Sequence, residues 1–144
     1  MIRNYESQDL DSCVRLLIET YNCEPWNNHW TEKTAKRYLS EFVASREFVG
    51  FVLLEGELLV GAMFAHKKTW WTNDEIFVDE LFIQPTCQGK GYGTALLQHA
   101  EDYCRMRGLA GLTLLTNPYM PAKSFYEKNG YTLAKHVVFY YKEI

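Results

Sequence analysis

The chain has few of the features that mark membrane, secreted or nucleic-acid-binding proteins. No apolar run approaches the ~20 residues that span a bilayer. The first residues show no apolar signal region, so we expect no membrane partner. The 144 residues carry a net charge of −3 and no basic stripe that could neutralise phosphates. Nucleic acid is therefore not expected as a partner.

Patterns of metal-binding residues are also missing. The four cysteines form no C-x-x-C pair and no zinc-like spacing, and the four histidines are scattered along the chain. Reduced thiols are the simplest interpretation of such cysteines. The sequence therefore predicts a cytoplasmic protein without a metal site.

The composition is that of an ordinary globular protein, with 47% apolar and 23% charged residues. A chain of 144 residues is large enough for a proper core, and it shows no repeat, linker or low-complexity stretch. We therefore expect residues 1–144 to form one domain. Strand-like and helix-like segments alternate along it, which predicts a mixed α/β fold.

The periodicity of apolar residues and the positions of turn residues divide the chain into short elements. The predicted strands are Ile2–Tyr5, Phe48–Leu54, Leu58–Ala65, Ile76–Ile83, Leu112–Thr116, Tyr131–Ala134 and His136–Lys142. The predicted helices are one capped by Ser7 or Asp9, one capped by Thr31, one from Gly93 to about Arg107, and one over Pro121–Asn129. Because a helix lies between the strands at 76–83 and 112–116, those two strands are expected to be parallel.

A glycine-rich loop, residues 88–94, lies between a predicted strand and a predicted helix. Its glycines at alternate positions, Gly89, Gly91 and Gly93, allow a tight turn and leave backbone N–H groups uncovered. The helix that follows adds its own unpaired N–H groups and the positive end of its dipole. The sequence therefore predicts a phosphate-binding site here.

The known phosphate loops differ in how well they match these residues. A P-loop requires Ser or Thr after the Lys, but Gly91 follows Lys90. The G-x-G-x-x-G dinucleotide pattern fails in both registers. The remaining pattern is Q-x-x-G-x-G at Gln88, Gly91 and Gly93, which resembles the acyl-CoA pyrophosphate loop of the GNAT superfamily of N-acetyltransferases. A glycine-rich turn that only joins strand to helix is the alternative.

A second motif supports the same resemblance. Residues 125–131, Phe-Tyr-Glu-Lys-Asn-Gly-Tyr, are similar to the F-Y-x-K-x-G-F/Y signature near the end of GNAT domains. The resemblance implies a GNAT-type fold with about four helices and a central mixed sheet that splays between strands 4 and 5. It also implies acetyl-CoA as the co-substrate, lying in the splay as if it were an extra strand.

The resemblance assigns cofactor and catalytic roles to residues of this chain. Backbone groups of Leu81, Phe82 and Ile83 would pair with the pantetheine arm. The pyrophosphate would be held by the loop, Gln88, Gly89, Lys90, Gly91, Tyr92, Gly93 and Thr94. Asn117 would bind the pantetheine or simply cap the following helix. Tyr126 would protonate the departing thiolate, unless it is only a core aromatic.

The general base is open between two acids. Many family members place an acid at about the position of Phe77, which cannot serve here. Glu80 is the first candidate and Asp79 the second, with a structural ion pair or a water chain as alternatives. Adjacent strand residues point to opposite faces, so only one acid can face the splay unless a bulge re-aims the chain.

The four tryptophans lie in two stretches rich in polar residues. Trp26 and Trp30, with His29 between them, precede the second helix, and Trp70 and Trp71 follow the hairpin. They could pack on a sheet edge, or they could wall a pocket for a cationic amine through cation–π attraction. The first stretch is similar to that of sequences resembling aminoglycoside N-acetyltransferases.

The sequence therefore predicts an acetyl-CoA-dependent N-acetyltransferase that acts on a small amine by direct attack in a ternary complex. One alternative is an enzyme acting on protein lysines or N-termini. Another is a CoA-binding sensor without turnover. A homodimer is compatible with the resemblance, and the C-terminal strand at 136–142 could support it.

Overall fold

A five-stranded sheet organises the molecule, and the computed structural model describes all 144 residues. The strands are β1 (Ile2–Asn4), β2 (Phe48–Glu55), β3 (Leu58–Lys68), β4 (Glu75–Ile83) and β5 (Leu112–Leu114). They lie in the order β1-β2-β3-β4-β5, antiparallel except for the parallel pair β4–β5. The helices are α1 (Leu10–Tyr21), α2 (Glu32–Val43), α3 (Tyr92–Arg107) and α4 (Ala122–Lys128). None of them combines the length and the apolar character needed to cross a membrane.

The sheet is covered by helices on both faces. One buried cluster joins α1 and α2 to Val52 of β2 and Phe82 of β4, and we call this the α1–α2 cluster. A second cluster joins α3 to Phe51 and Leu53, and we call this the α3 cluster. Successive residues of β2 enter opposite clusters because side chains alternate across a strand. The mixed α/β fold predicted from the periodicity is confirmed.

A β-bulge interrupts β4 at Asp79. On the β3 side, Phe64 pairs with Glu80 and the next residue, Ala65, pairs with Val78, so Asp79 has no partner in the ladder. The extra residue reverses the alternation of side chains along β4. Val78 consequently packs in the α3 cluster, whereas Glu80 faces the two helices on the other side of the sheet.

The two parallel strands separate soon after they meet. Pairing between β4 and β5 runs only from Ile76 opposite Leu112 to Val78 opposite Leu114, although β4 continues to Ile83. Beyond Val78 the edge of β4 has no neighbouring strand. The predicted splay between strands 4 and 5 is confirmed, and it leaves room for an extended ligand beside β4.

Local signals predicted several helix ends correctly. Thr31 caps α2 by accepting a hydrogen bond from the Thr34 N–H at 3.1 Å. Gly108 ends α3 in the left-handed conformation that glycine adopts without strain. The start of α1 differs, because the Asp9 carboxylate receives two hydrogen bonds from Arg3 and one from the Glu6 N–H instead of capping the helix.

The predicted C-terminal strands are wrong. Residues 131–144 form neither of the strands expected at Tyr131–Ala134 and His136–Lys142, and β5 ends at Leu114 rather than at Thr116. The segment has strand-like residues, but a strand also needs a paired neighbour, and this segment pairs with no strand of the sheet. Its large side chains, such as Phe139, are therefore exposed.

Candidate active site

The glycine-rich loop and the start of α3 form a cradle of free backbone donors. None of the six N–H groups from Gly89 through Thr94 has an acceptor in the protein, and the Ala95 N–H is the first to enter the helical ladder, bonding to the Gly91 carbonyl. Consecutive free N–H groups at the positive end of a helix attract anions. The geometry of the loop is compatible with phosphate oxygens, and the phosphate site stays a prediction.

The glycines of the loop serve two purposes. Gly89 and Gly91 have φ angles of 78° and 81°, and a Cβ at either position would meet nothing within 4 Å. They provide the left-handed turn and keep the cradle open. Gly93 allows α4 to pack closely on α3, because a Cβ added at this position would lie 2.9 Å from the Phe125 ring. The glycine-rich loop and the helix that carries Tyr126 thus meet at one glycine.

Side chains hold the loop in place. The Gln88 side chain donates to the Ile83 carbonyl at 3.2 Å, which ties the loop to the end of β4. Lys90 lies 3.6 Å from the Glu55 carboxylate, and the Tyr92 hydroxyl donates to the same carboxylate at 2.6 Å. Glu55 therefore orients both side chains at the border of the cradle.

The end of β4 presents backbone groups toward the splay. The Gln84 N–H bonds to the Val60 carbonyl, so by alternation Phe82 also directs its backbone toward β3. Leu81 and Ile83 direct theirs to the open side. The carbonyl of Ile83 already accepts from Gln88 and Thr20, and that of Leu81 accepts from Tyr21 at 3.4 Å. Of the three residues predicted to pair with pantetheine, Leu81 and Ile83 therefore direct N–H groups to the open side, whereas Phe82 contributes a buried side chain.

A cavity of about 300 Å³ connects the splay to the loop between α1 and α2. It brings together residues that the sequence analysis selected separately for catalysis, cofactor binding and acceptor binding. Among the lining residues are Trp26, Trp30, Asp79, Glu80, Asn117 and Tyr126. Both acids reach the same cavity because the bulge at Asp79 re-aims the strand.

Glu80 is held by two tyrosines. The Tyr38 hydroxyl donates to its Oε1 at 2.6 Å, and the Tyr21 hydroxyl donates to its Oε2 at 2.9 Å. Burial raises the pKa of Glu80, the two hydrogen bonds oppose that rise, and the neighbouring Asp79 charge adds to it. A carboxylate with a raised pKa is a better proton acceptor than an ordinary surface acid.

Asp79 has a different environment. Its Oδ2 lies 2.7 Å from Nδ1 of His66 on β3. The His66 ring also contacts the Phe77 ring, with centroids 5.4 Å apart. Asp79 therefore bonds to an imidazole on β3, whereas the partners of Glu80 are two tyrosine hydroxyls.

Tyr126 stands on α4 at the other side of the cavity. Its ring packs against Phe125 and Tyr131, and burial together with the Glu80 charge raises the pKa of its hydroxyl to about 12. Asn117 accepts the Tyr119 N–H at 2.9 Å through Oδ1, and its side-chain N–H₂ has no partner. This bond closes a turn ahead of α4, whose N-cap is Pro121, so Asn117 does not cap that helix.

The predicted acceptor residues fall into two groups. Trp26 packs edge-on against Tyr21, and Trp30 stacks on Tyr38 with ring centroids 4.9 Å apart. His29 is exposed between them and does not line the cavity. The other pair, Trp70 and Trp71, is exposed in the turn between β3 and β4 and lies outside the cavity lining.

Three residues that hydrogen-bond to Glu80 or Asp79 were not predicted from the sequence. Tyr21 and Tyr38 have the spacing of core residues on amphipathic helices, and His66 lies in the hairpin strand β3, which ends at Lys68. Nothing in their local sequence indicates that they converge on β4. Only the packing of α1 and α2 against the bulged strand brings them to Glu80, and only the β3–β4 register brings His66 to Asp79.

Comparison with known proteins places this site in a family. A streptothricin acetyltransferase of Streptomyces lavendulae is 34% identical over 88 residues, covering 60% of this chain and 44% of that protein. An uncharacterized N-acetyltransferase of Methanocaldococcus jannaschii is 28% identical over 111 residues, covering 74% and 49%. The chain spans about half the length of the curated relatives it matches.

The fold is shared with solved acetyltransferases. The aminoglycoside antibiotic 6′-N-acetyltransferase AAC(6′)-IG of Acinetobacter haemolyticus superposes with a TM-score of 0.78 at 13% identity, covering 100% of this chain and 99% of that one. At this identity the likeness shows the fold alone. The family described as "Acetyltransferase (GNAT) family" matches residues 10–131. The chain therefore belongs to the GNAT acetyltransferase family.

Proposed function

We propose that the protein transfers an acetyl group from acetyl-CoA to a primary amine of a small cationic acceptor. The observation that carries the proposal is the single cavity in which Glu80 and Tyr126 meet, beside the splay. Free N–H groups of residues 89–94 suit the two phosphates of acetyl-CoA, and the open edge of β4 suits its amide-bearing arm. Acetyl-CoA supplies the activated thioester when bound.

The first chemical requirement is a neutral amine, because an ammonium has no lone pair. We assign proton removal to Glu80, which is the acid that the two tyrosines present to the cavity. The amine nitrogen then forms a bond to the acyl carbon. We assign stabilisation of the negative charge that develops on the thioester oxygen to the Leu81 N–H, which lies on the open side of β4.

The second requirement is a proton for the leaving group. As the bond between carbon and sulfur breaks, the electron pair stays on sulfur, and the Tyr126 hydroxyl gives this thiolate its proton. With a pKa of about 12, Tyr126 stays protonated at neutral pH. Solvent takes the second proton from the new amide nitrogen, receives the proton held by Glu80 and reprotonates Tyr126.

The lining of the cavity supports a cationic acceptor. Trp26 and Trp30 offer aromatic faces, and the two carboxylates of Asp79 and Glu80 make the inner wall acidic. Aromatic faces and carboxylates both attract ammonium groups. Small amine acceptors are also what the names of the streptothricin and aminoglycoside relatives suggest.

An amine panel with acetyl-CoA tests the proposal by release of free thiol. We expect turnover with at least one small polyamine or amino-sugar, and a fall of about a hundredfold or more in kcat for Tyr126→Phe. CoA affinity measured by calorimetry should stay nearly unchanged in that variant. If kcat and CoA affinity fall together, Tyr126 is structural rather than catalytic.

The cofactor half of the proposal has a separate test. Gly91→Asp places a carboxylate at the open cradle, where it blocks phosphate and repels it. We expect CoA binding to be lost in calorimetry, while circular dichroism shows a folded protein. Gly108→Asp is the control, since this glycine is also left-handed but lies at the other end of α3. Unchanged CoA affinity in Gly91→Asp would refute the site.

A further inference from the structure

Two tyrosines surround the carboxylate of Glu80. Tyr21 is the last residue of α1 and Tyr38 lies in α2, and the two helices approach the same carboxylate from different directions. Each hydroxyl takes a different oxygen, Tyr21 the Oε2 and Tyr38 the Oε1. A carboxylate held at both oxygens has a fixed position and orientation.

Aromatic packing holds the tyrosines themselves. Trp26 packs against the Tyr21 ring at a centroid distance of 5.4 Å, and Phe42 packs against Tyr38 at 4.8 Å. Trp30 covers the other side of Tyr38. The tyrosines therefore have little freedom to turn away, and the tryptophans limit water around the two hydrogen bonds.

We propose that Tyr21 and Tyr38 are positioning residues that hold Glu80 ionised and aimed at the acceptor amine. This inference rests on the proposed role of Glu80 as the base. Two donors stabilise the carboxylate but leave its remaining lone pairs free for the incoming ammonium proton. Without them, a carboxyl buried this deeply takes up a proton at higher pH and loses a defined direction.

Other charged or titratable groups near Glu80 act on it differently. Asp79 on β4 disfavours its ionised form, and His66 on β3 reaches it only through Asp79. Tyr126 on α4 responds to the Glu80 charge without a hydrogen bond to it. No cation contacts Glu80. Its ionised form thus depends on the two tyrosine hydroxyls.

The test uses Tyr21→Phe and Tyr38→Phe, which keep the rings and remove only the hydroxyls. We expect the pKa of Glu80, followed by carbon NMR titration of its carboxyl with Glu80→Gln for assignment, to rise by about one unit in each variant. The apparent pKa of the acid limb in the pH profile of kcat/KM should rise by the same amount. At pH values below this apparent pKa, a rise of one unit corresponds to a tenfold lower kcat/KM.

Tyr5→Phe is the matched control. The Tyr5 hydroxyl is buried without a partner and its ring packs on the same α1–α2 cluster, so its loss should leave both readouts unchanged. Unchanged Glu80 titration in Tyr21→Phe and Tyr38→Phe would overturn the inference, since the tyrosines would then only fill space. If the NMR shift appears but no amine is acetylated by the wild type, the positioning role stands and the proposed reaction fails.

Discussion

Glu80 combines a cost in stability with a proposed chemical role. Its carboxyl lies among aromatic rings rather than beside a cation, and two tyrosines supply its hydrogen bonds. A buried acid whose pKa is raised favours its protonated form in the folded state. The folded protein therefore binds more protons than the unfolded chain, and stability falls as pH rises through the range between the two pKa values.

Glu80→Gln should separate stability from activity. The amide removes the charge, so we expect the variant to unfold at a higher urea concentration than the wild type at neutral pH. The difference in urea midpoint between the variant and the wild type should shrink toward about pH 4, where the carboxyl is protonated in the unfolded chain as well. Turnover should fall by a factor of about 10² to 10⁴, as for loss of a general base.

Asp79→Asn is the comparison for this prediction. Asp79 also lines the cavity but is held by His66, so its loss should reduce the rate much less. Urea titrations and rates at several pH values measure both effects. A larger rate loss in Asp79→Asn than in Glu80→Gln would make Asp79, and not Glu80, the general base.

At the level of elements, the contact between α3 and α4 joins the two halves of the site. The free N–H groups at the start of α3 form the cradle, and Phe125 of α4 rests on Gly93 in its first turn. Tyr126, the next residue, owes its place at the cavity to this close approach. A residue remote from the chemistry can therefore move the proposed acid.

Gly93→Ala should reduce turnover without unfolding the protein. The added Cβ forces the Phe125 ring away, which displaces α4 and costs about 1–3 kcal/mol, partly offset by the better helix propensity of alanine. We expect kcat to fall at least tenfold, with a melting temperature lowered by a few degrees. Gly108→Ala should lower the melting temperature by a similar amount and leave kcat unchanged, since its φ of 66° strains alanine but the residue touches no part of the site.

The whole molecule carries an exposed apolar segment at its C-terminal end. Residues 137–141, Val-Val-Phe-Tyr-Tyr, are more than half exposed and form no strand, while β5 is a sheet edge with no partner on its outer side. Exposed apolar side chains of this kind favour association between molecules. The homodimer that is compatible with the family resemblance therefore stays a prediction with a defined surface.

Replacing Phe139 and Tyr141 together by serine tests that surface. We expect the wild type to sediment as a dimer at micromolar concentration and the double variant to shift toward the monomer. Trp71→Ser is the control, because Trp71 is as exposed but lies in another part of the chain. Equal sedimentation of the wild type and the double variant would remove this segment from the interface.

Sequence patterns determined the parts of the molecule whose causes are local. Thr31 and Gly108 mark helix ends, alternate glycines open the cradle, and strand and helix periods predict the mixed sheet. The motifs at Gln88 and Tyr126 were enough to indicate the family. Each of these features depends on residues within a few positions of one another, which is why the chain alone revealed them.

Tertiary structure alone decided how the proposed catalytic groups meet. The bulge that brings Asp79 and Glu80 to one cavity depends on the β3–β4 register, and the tyrosine pair depends on how α1 and α2 cross β4. The prediction of the C-terminal strands was wrong for the same reason, since a strand-forming sequence needs a paired neighbour that local propensity does not supply. Pairing, register and burial join residues far apart in the chain, so they lie beyond what local patterns contain.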